Sequence, residues 1–277
     1  MKSFHQFFKN SLVSILMLLA SAQASAQTFV QMSEEVMMLP YDWSWKLETT
    51  VYKPEGSGPF PLVIMNHGKS YGDAREQKRY RPIAAAREFV KRGFVVAVPM
   101  RLGFGNSGGT YFQSGCDLTK DGYKQSESID AALRELVKLP YIKSDQVLIV
   151  GHSYGGFIGM AYGATKTAVP IKGVINFAGG LKKSTGSCLW DLSLTKAFTD
   201  YGKNTKVPSL WIYSENDSLF KPDLVNRLNR SYSSGGAKTE VKILGPFKED
   251  GHKFFDDPEG VRMWSSEIDD FIKRLGF

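Results

Sequence analysis

Five short, largely apolar runs fix what this chain can fold into: residues 62–65 (LVIM), 94–100 (FVVAVPM), 147–150 (VLIV), 174–178 (VINFA) and 210–213 (LWIY). A strand with one wet face alternates apolar and polar residues. A parallel strand covered by helices on both faces must instead be apolar throughout. Between these runs, Ile83, Ala86, Phe89 and Val90 recur at helical spacing, and so do Ile129, Leu133, Leu136 and Val137. Each interval therefore supplies a helix with one apolar stripe. Residues 34–39 and 46–53 read as two strands with no helix between them, which predicts an antiparallel start. Residues 238–244 and 259–275 supply a last strand and a last helix. The expectation is one α/β domain, with a mostly parallel eight-stranded sheet and helices on both faces. Residues 179–206, the longest departure from alternation, form either a small cap or insert before the seventh strand or an ordinary crossover helix with a long approach.

With 277 residues, 42% of them hydrophobic, the chain can bury a core, which excludes the disordered and collagen-like classes. The only long apolar run lies at the N-terminus. Lys2 and Lys9 flank its positive region, residues 11–20 (SLVSILMLLA) form its apolar centre, and residues 24–26 (ASA) offer a small-x-small cleavage site. We therefore expect a signal peptide over residues 1–26, cleavage after Ala26, a mature domain over 27–277, and a secreted or periplasmic protein without a membrane role once the leader is removed.

Loss of Lys2 and Lys9 takes the formal charge from +7 to +5, a surplus that identifies no partner. Arg75, Lys78, Arg79 and Arg81 are interleaved with Glu76, Gln77 and Tyr80, which predicts a solvated helix face rather than a nucleic-acid site. An exported chain meets an oxidising compartment, where Cys116 and Cys188 either pair or stay as two thiols. Closing their 72-residue separation is worth about 4 kcal/mol in the chain-entropy model.

The chemistry is concentrated after the VLIV run. Gly151-His152-Ser153-Tyr154-Gly155 follows a buried strand and opens a Gly-rich helix, the context of a nucleophile elbow, which lifts the serine hydroxyl above the sheet edge. Serine needs a base to react. His5 leaves with the leader, His152 is expected to point away from Ser153, and His67 is expected to tie down its own loop, which leaves His252. A carboxylate must hold the imidazole tautomer. Asp217, just past the LWIY strand, is the first choice and Glu215 the alternative, while Asp250 is too near His252 in sequence to orient it. The backbone N–H groups of Tyr154 and Lys69 are the expected oxyanion donors. Three scattered histidines offer no metal-ligand spacing, so no metal and no cofactor is expected.

These residues carry a resemblance that covers nearly the whole mature chain. It resembles the α/β-hydrolase superfamily, in particular dienelactone-hydrolase-like and related exported serine esterases. The resemblance implies Ser153 as nucleophile, His252 as base, Asp217 as acid, and the amides of Tyr154 and Lys69 as oxyanion donors. Residues 101–109 (RLGFGNSGG) resemble the family's R-G-x-G-x-S loop, with Leu102 inserted after Arg101. Dienelactone hydrolases use a cysteine nucleophile, and Ser153 departs from that. The implied activity is hydrolysis of small or medium carboxylic esters through an acyl-enzyme. Tyr154-Gly155-Gly156 is also similar to prolyl-oligopeptidase-type peptidases, which keeps amide substrates open. A non-catalytic binding protein on the same fold is the third reading. Phe104, Tyr111, Phe112 and Trp190 are the aromatic candidates for a substrate pocket, with core packing as their alternative. The oligomeric state is not readable from the sequence.

Overall fold

A computed structural model describes residues 31–183 and 188–277, so the leader expected over residues 1–26 lies outside the described residues. The chain enters the sheet through β1 (Met32–Pro40) and β2 (Lys46–Pro54), which pair antiparallel. β2 also runs antiparallel to β4 (Val95–Pro99). All later pairings are parallel, through β3 (Phe60–Asn66), β5 (Ile142–His152), β6 (Gly173–Phe177), β7 (Ser209–Ser214) and β8 (Thr239–Leu244). The order across the eight strands is β1-β2-β4-β3-β5-β6-β7-β8. Every residue of β4, β6 and β7 is buried, as the continuous apolar runs require.

Seven α-helices are described: α1 (Ile83–Lys91), α2 (Leu118–Leu136), α3 (Tyr154–Gly163), α4 (Trp190–Asn204), α5 (Pro222–Ser233), α6 (Pro258–Trp264) and α7 (Asp269–Arg274). α1 buries Ala85, Ala86, Phe89 and Val90, the stripe its spacing announces. α3 is apolar all round and buried at every position. The expected last helix over 259–275 is interrupted by a 3-10 turn at Ser266–Ile268, which separates α6 from α7.

One further expectation changes. Residues 75–81 are not helical. Arg75 donates to the carbonyl of Gly105 at 2.8 Å, and Arg79 and Arg81 pair with Glu34 on β1, at 3.0 Å and 2.5 Å. These guanidinium groups pin a loop to neighbouring strands, so no helix face is needed to hold them. Residues 179–206 resolve into an approach and a crossover helix. α4 runs 15 residues and buries Phe198, whose ring lies 4.9 Å from that of Trp211 on β7. Residues 184–187 of the approach lie outside the described residues. Cys116 and Cys188 are joined in a disulfide, Cα atoms 5.6 Å apart, so the segment before α2 is tied to the segment before α4.

Because β3, β5, β7 and β8 run parallel, their carboxyl ends share one sheet edge. The loops that carry Lys69, Ser153, Asp217 and His252 leave from those four ends. Crevices at this edge are where open α/β sheets bind their ligands.

Candidate active site

Ser153 sits between β5 and α3 with φ 57° and ψ −125°, a left-handed conformation that costs about 1–3 kcal/mol for a side-chain-bearing residue. Its surroundings hold it there. The Ser153 N–H donates to the Phe177 carbonyl at 2.9 Å, and its own carbonyl accepts from Phe157 and Gly180, both at 3.1 Å. The two flanking glycines are steric necessities. A Cβ on Gly155 would stand 2.1 Å from the Asn66 carbonyl oxygen, and one on Gly151 would stand 2.3 Å from that of Gly155.

The 3-10 turn Gly251–Asp256 brings His252 over the sheet edge. Its Nε2 lies 2.9 Å from Ser153 Oγ, and its Nδ1 lies 3.0 Å from Asp217 Oδ2. With Nδ1–H donating to the carboxylate, Nε2 is left to accept the serine proton. Asp217 is fully buried, and its Oδ1 accepts from the N–H groups of Leu219 and Phe220 at 2.8 and 2.9 Å. Those bonds fix the carboxylate before it meets the imidazole. Glu215 is exposed on the strand end, and Asp250 Oδ1 accepts from the His252 and Ser218 N–H groups, which shapes the turn without touching the ring.

His152 makes no hydrogen bond to Ser153 among the described residues and has a task of its own. Its Nε2–H donates to the His252 carbonyl at 2.7 Å, and its ring stacks on Phe255 with centroids 5.3 Å apart. Burial, with His252 nearby, pushes its pKa down to about 3, so the ring stays uncharged. Nothing in a G-x-S-x-G pattern assigns the second residue this role, because its partner lies 100 residues away.

The facing loop is clamped on the other side. His67 Nδ1–H donates to the Gly68 carbonyl at 2.7 Å, and its Nε2 accepts the Arg101 N–H at 3.0 Å. Burial, aided by the Arg101 charge, holds its pKa well below the usual imidazole value. Arg101 is itself buried and reaches the His67 and Gly68 carbonyls at 2.5 and 3.4 Å. This clamp presses Gly68 against the serine: a Cβ there would lie 3.3 Å from Ser153 Cβ and 3.8 Å from Oγ. The N–H of Tyr154 opens α3, where no intrahelical acceptor exists for it. Neither it nor the Lys69 N–H meets a protein acceptor among the described residues. Both are available to a developing oxyanion.

Two hollows meet at Ser153 and His252. One of ≈ 550 Å³ runs past His67, Lys78 and Tyr80, and the other, of ≈ 610 Å³, runs past Tyr111, Leu181, Lys182, Leu219, Phe220 and Lys253. A separate hollow of ≈ 680 Å³, lined by Tyr41, Glu127 and Arg134 among others, contains none of the triad residues. Of the four aromatic pocket candidates only Tyr111 lines the cleft. Phe104 is core: it is fully buried beside Ala74 and Met100, edge-on to His67 at 4.7 Å. Phe112 lines neither hollow, and its carbonyl accepts from Gln125 at 3.0 Å. Trp190 stands outside the cleft lining at the start of α4, beneath the Lys182 ammonium at 5.6 Å. Leu219 and Phe220 line the cleft instead, placed there by the same turn that bonds Asp217. Their position three-dimensionally beside Ser153 leaves no local mark in the sequence.

The model of the X-Pro dipeptidyl-peptidase (S15) family matches residues 44–206, that is 206 − 44 + 1 = 163 of 277 residues. The chain belongs to this family. The S15 match takes in Lys69, Ser153 and Tyr154 and ends before Asp217 and His252. No curated protein matches the chain. Among solved structures, the S15 chain is similar to a Klebsiella pneumoniae protein described as a dienelactone hydrolase, at 18% identity and a TM-score of 0.62, covering 88% of this chain and 99% of that one. It is similar to Est1E of Butyrivibrio proteoclasticus with ferulic acid bound, at 17% identity and a TM-score of 0.63, covering 86% and 98%. It is also similar to the Pyrococcus horikoshii acylaminoacyl peptidase, at 17% identity and a TM-score of 0.65, covering 88% of this chain and only 42% of that one. The S15 chain thus has the α/β-hydrolase fold, and it spans less than half of that peptidase.

Proposed function

We propose that the protein is a serine hydrolase that cleaves carboxylic esters of small or medium size through a covalent acyl-enzyme. The observation that carries this reading is the relay Ser153 Oγ, His252 and Asp217, linked at 2.9 and 3.0 Å. Ser153 Oγ attacks the ester carbonyl while His252 Nε2 takes its proton, and Asp217 stabilises the imidazolium that forms. The negative charge on the carbonyl oxygen is held by the N–H groups of Tyr154 and Lys69. The C–O bond then breaks, and the alcohol leaves with the proton from His252. Water, activated by His252, repeats the sequence and releases the acid. Esterases on the same fold support the ester reading. We further propose export after cleavage of residues 1–26, an address that the Cys116–Cys188 disulfide fits.

A second reading is favoured by the family itself: the same triad could act on an amide, as an X-Pro dipeptidyl-peptidase does. Parallel assays separate the two. Nitrophenyl esters turned over with no cleavage of Xaa-Pro-nitroanilides support the esterase reading. The reverse result replaces it with the peptidase. Absence of both, with no fluorophosphonate label on Ser153, points to a non-catalytic protein.

A further inference from the structure

The hollow that runs from Ser153 past Phe220 is lined by four lysines, Lys69, Lys182, Lys183 and Lys253, and by one carboxylate, Asp250. Lysines therefore outnumber carboxylates in this lining. Lys183 has a partner, since it lies 3.3 Å from the buried Asp121. The other three have no carboxylate within ion-pair distance among the described residues. Lys69 is spent on the carbonyls of Ser70 and Gly72, both at 3.0 Å, and its ammonium stands 5.6 Å from the Tyr111 ring centre. Lys182 stands at the same distance over the Trp190 ring. Lys253 follows the catalytic candidate His252 directly and is exposed. Uncompensated like charges facing one cleft raise its potential, and a low-dielectric wall focuses that field on whatever enters. Burial lowers the pKa of Lys69, against the opposite pull of the nearby Asp73 carboxylate.

The single carboxylate offsets only part of this and, among the described residues, forms no ion pair with a lysine of the cleft. Asp250 already accepts two backbone N–H bonds, from His252 at 2.9 Å and from Ser218 at 3.1 Å. Asp217 points its free oxygen at His252 Nδ1. Lys183 is also held in place: its ammonium bonds the Gly115 carbonyl, next to the disulfide-bonded Cys116.

We propose that this cleft takes ester substrates bearing a negatively charged group, a carboxylate in the simplest case, seated against the ammonium groups of Lys182 and Lys253; this deepens the hydrolase reading above and rests on it. The same charge disfavours a free N-terminal ammonium, which the substrate of a dipeptidyl-peptidase presents. The chain would then depart from its family's namesake in substrate class while keeping the fold and the serine relay.

Two matched pairs of esters test this at low ionic strength. Acetates of 4-hydroxybenzoate and of its methyl ester differ by a charge on the leaving side, and nitrophenyl esters of adipic monoacid and hexanoic acid differ by one on the acyl side. After correction for uncatalysed hydrolysis, kcat/KM for the anionic member of at least one pair is expected to exceed the neutral one by about tenfold. That ratio should fall several-fold in about 1 M salt, where screening is short-ranged. It should approach one in the double variant Lys182→Gln, Lys253→Gln. A ratio near or below one in both pairs, or a preference that neither salt nor the double variant moves, overturns the proposal. Calorimetric titration of Ser153→Ala with the same four esters reads the charge preference without turnover. If no ester is hydrolysed and fluorophosphonate leaves Ser153 unlabelled, the hydrolase reading fails, while the titration still decides whether the cleft selects anions.

Discussion

His152 donates its Nε2–H to the carbonyl oxygen of His252, 2.7 Å away, so the residue before the proposed nucleophile holds the backbone of the proposed base. The elbow and the imidazole turn are thereby one mechanical unit, braced further by the stack of His152 on Phe255. A hydrogen bond of this kind contributes about 0.5–1.5 kcal/mol net. Its loss in His152→Phe, which keeps the stack, is expected to lower kcat several-fold with KM little changed. Steady-state kinetics on one nitrophenyl ester check this, and an unchanged kcat would show that His252 needs no such support.

The two uncharged imidazoles, His67 and His152, also set the acid limit. His152, held down to about 3, and His67, held well below its usual value, are neutral in the folded state and become protonated near the ordinary pKa of about 6.5 only when the chain unfolds. The unfolded state therefore binds more protons below pH 6.5, and stability falls as the pH drops from there toward 3. Asp256 acts in the opposite sense. Burial raises its pKa to about 6, so the folded state takes up its proton first and gains stability as the pH falls through 6 toward the ordinary carboxylate range. Two imidazoles outweigh one carboxyl, so melting temperature is expected to decline between pH 6.5 and 4. In His152→Phe that decline should be shallower, and an unaltered slope would remove His152 from the account.

The disulfide closes 72 residues and should be worth about 4 kcal/mol. For a domain of this size that corresponds to a fall of about 10 °C in melting temperature on reduction. Thermal scans with and without reductant measure it. Equal melting temperatures would mean that the bond constrains nothing that unfolding releases.

Gly68 approaches the serine closely from the opposite loop. Gly68→Ala places a methyl 3.3 Å from Ser153 Cβ, so either the serine or the loop must give by a few tenths of an ångström. Small displacements of reacting groups can cost up to about 100-fold in rate. We expect kcat to fall at least about tenfold, with a melting temperature within a few degrees of the parent, as the substitution adds one methyl at the cleft wall rather than a cavity. Kinetics and a thermal scan on the same preparation check both halves.

What the sequence discloses and what it hides divide along a physical line. β4, β6 and β7 announce themselves because burial on both faces leaves few polar residues to confuse the pattern. Ser153, His252 and Asp217 are readable because each follows a recognisable strand, and a parallel sheet sends every strand end to the same edge. The loop at residues 75–81 is opaque for the opposite reason: its arginines are satisfied by Glu34 and by loop carbonyls about 30–47 positions away, and charge spacing along the chain says nothing of that. Phe104 and Phe112 show the same limit, since an aromatic side chain in a loop carries no sign of whether it faces a core or a cleft. The lysine lining is equally hidden, assembled as it is from residues 69, 182, 183 and 253.

Asp217 carries the proposed acid role through a bond to His252 Nδ1 that an amide cannot reproduce with the correct tautomer. Asp217→Asn is expected to lower kcat by about 10⁴-fold with little change in KM, whereas Glu215→Gln leaves it within about twofold. Comparable losses in both variants would leave the acid unassigned.

The claim on which the rest depends is that His252 makes the Ser153 hydroxyl a nucleophile. The most direct measurement is mass spectrometry of the intact and digested protein after exposure to a fluorophosphonate. The account predicts a single adduct on Ser153, formed at least about a hundredfold more slowly in His252→Ala. No adduct, an adduct on another residue, or equal labelling rates in the two proteins would contradict it.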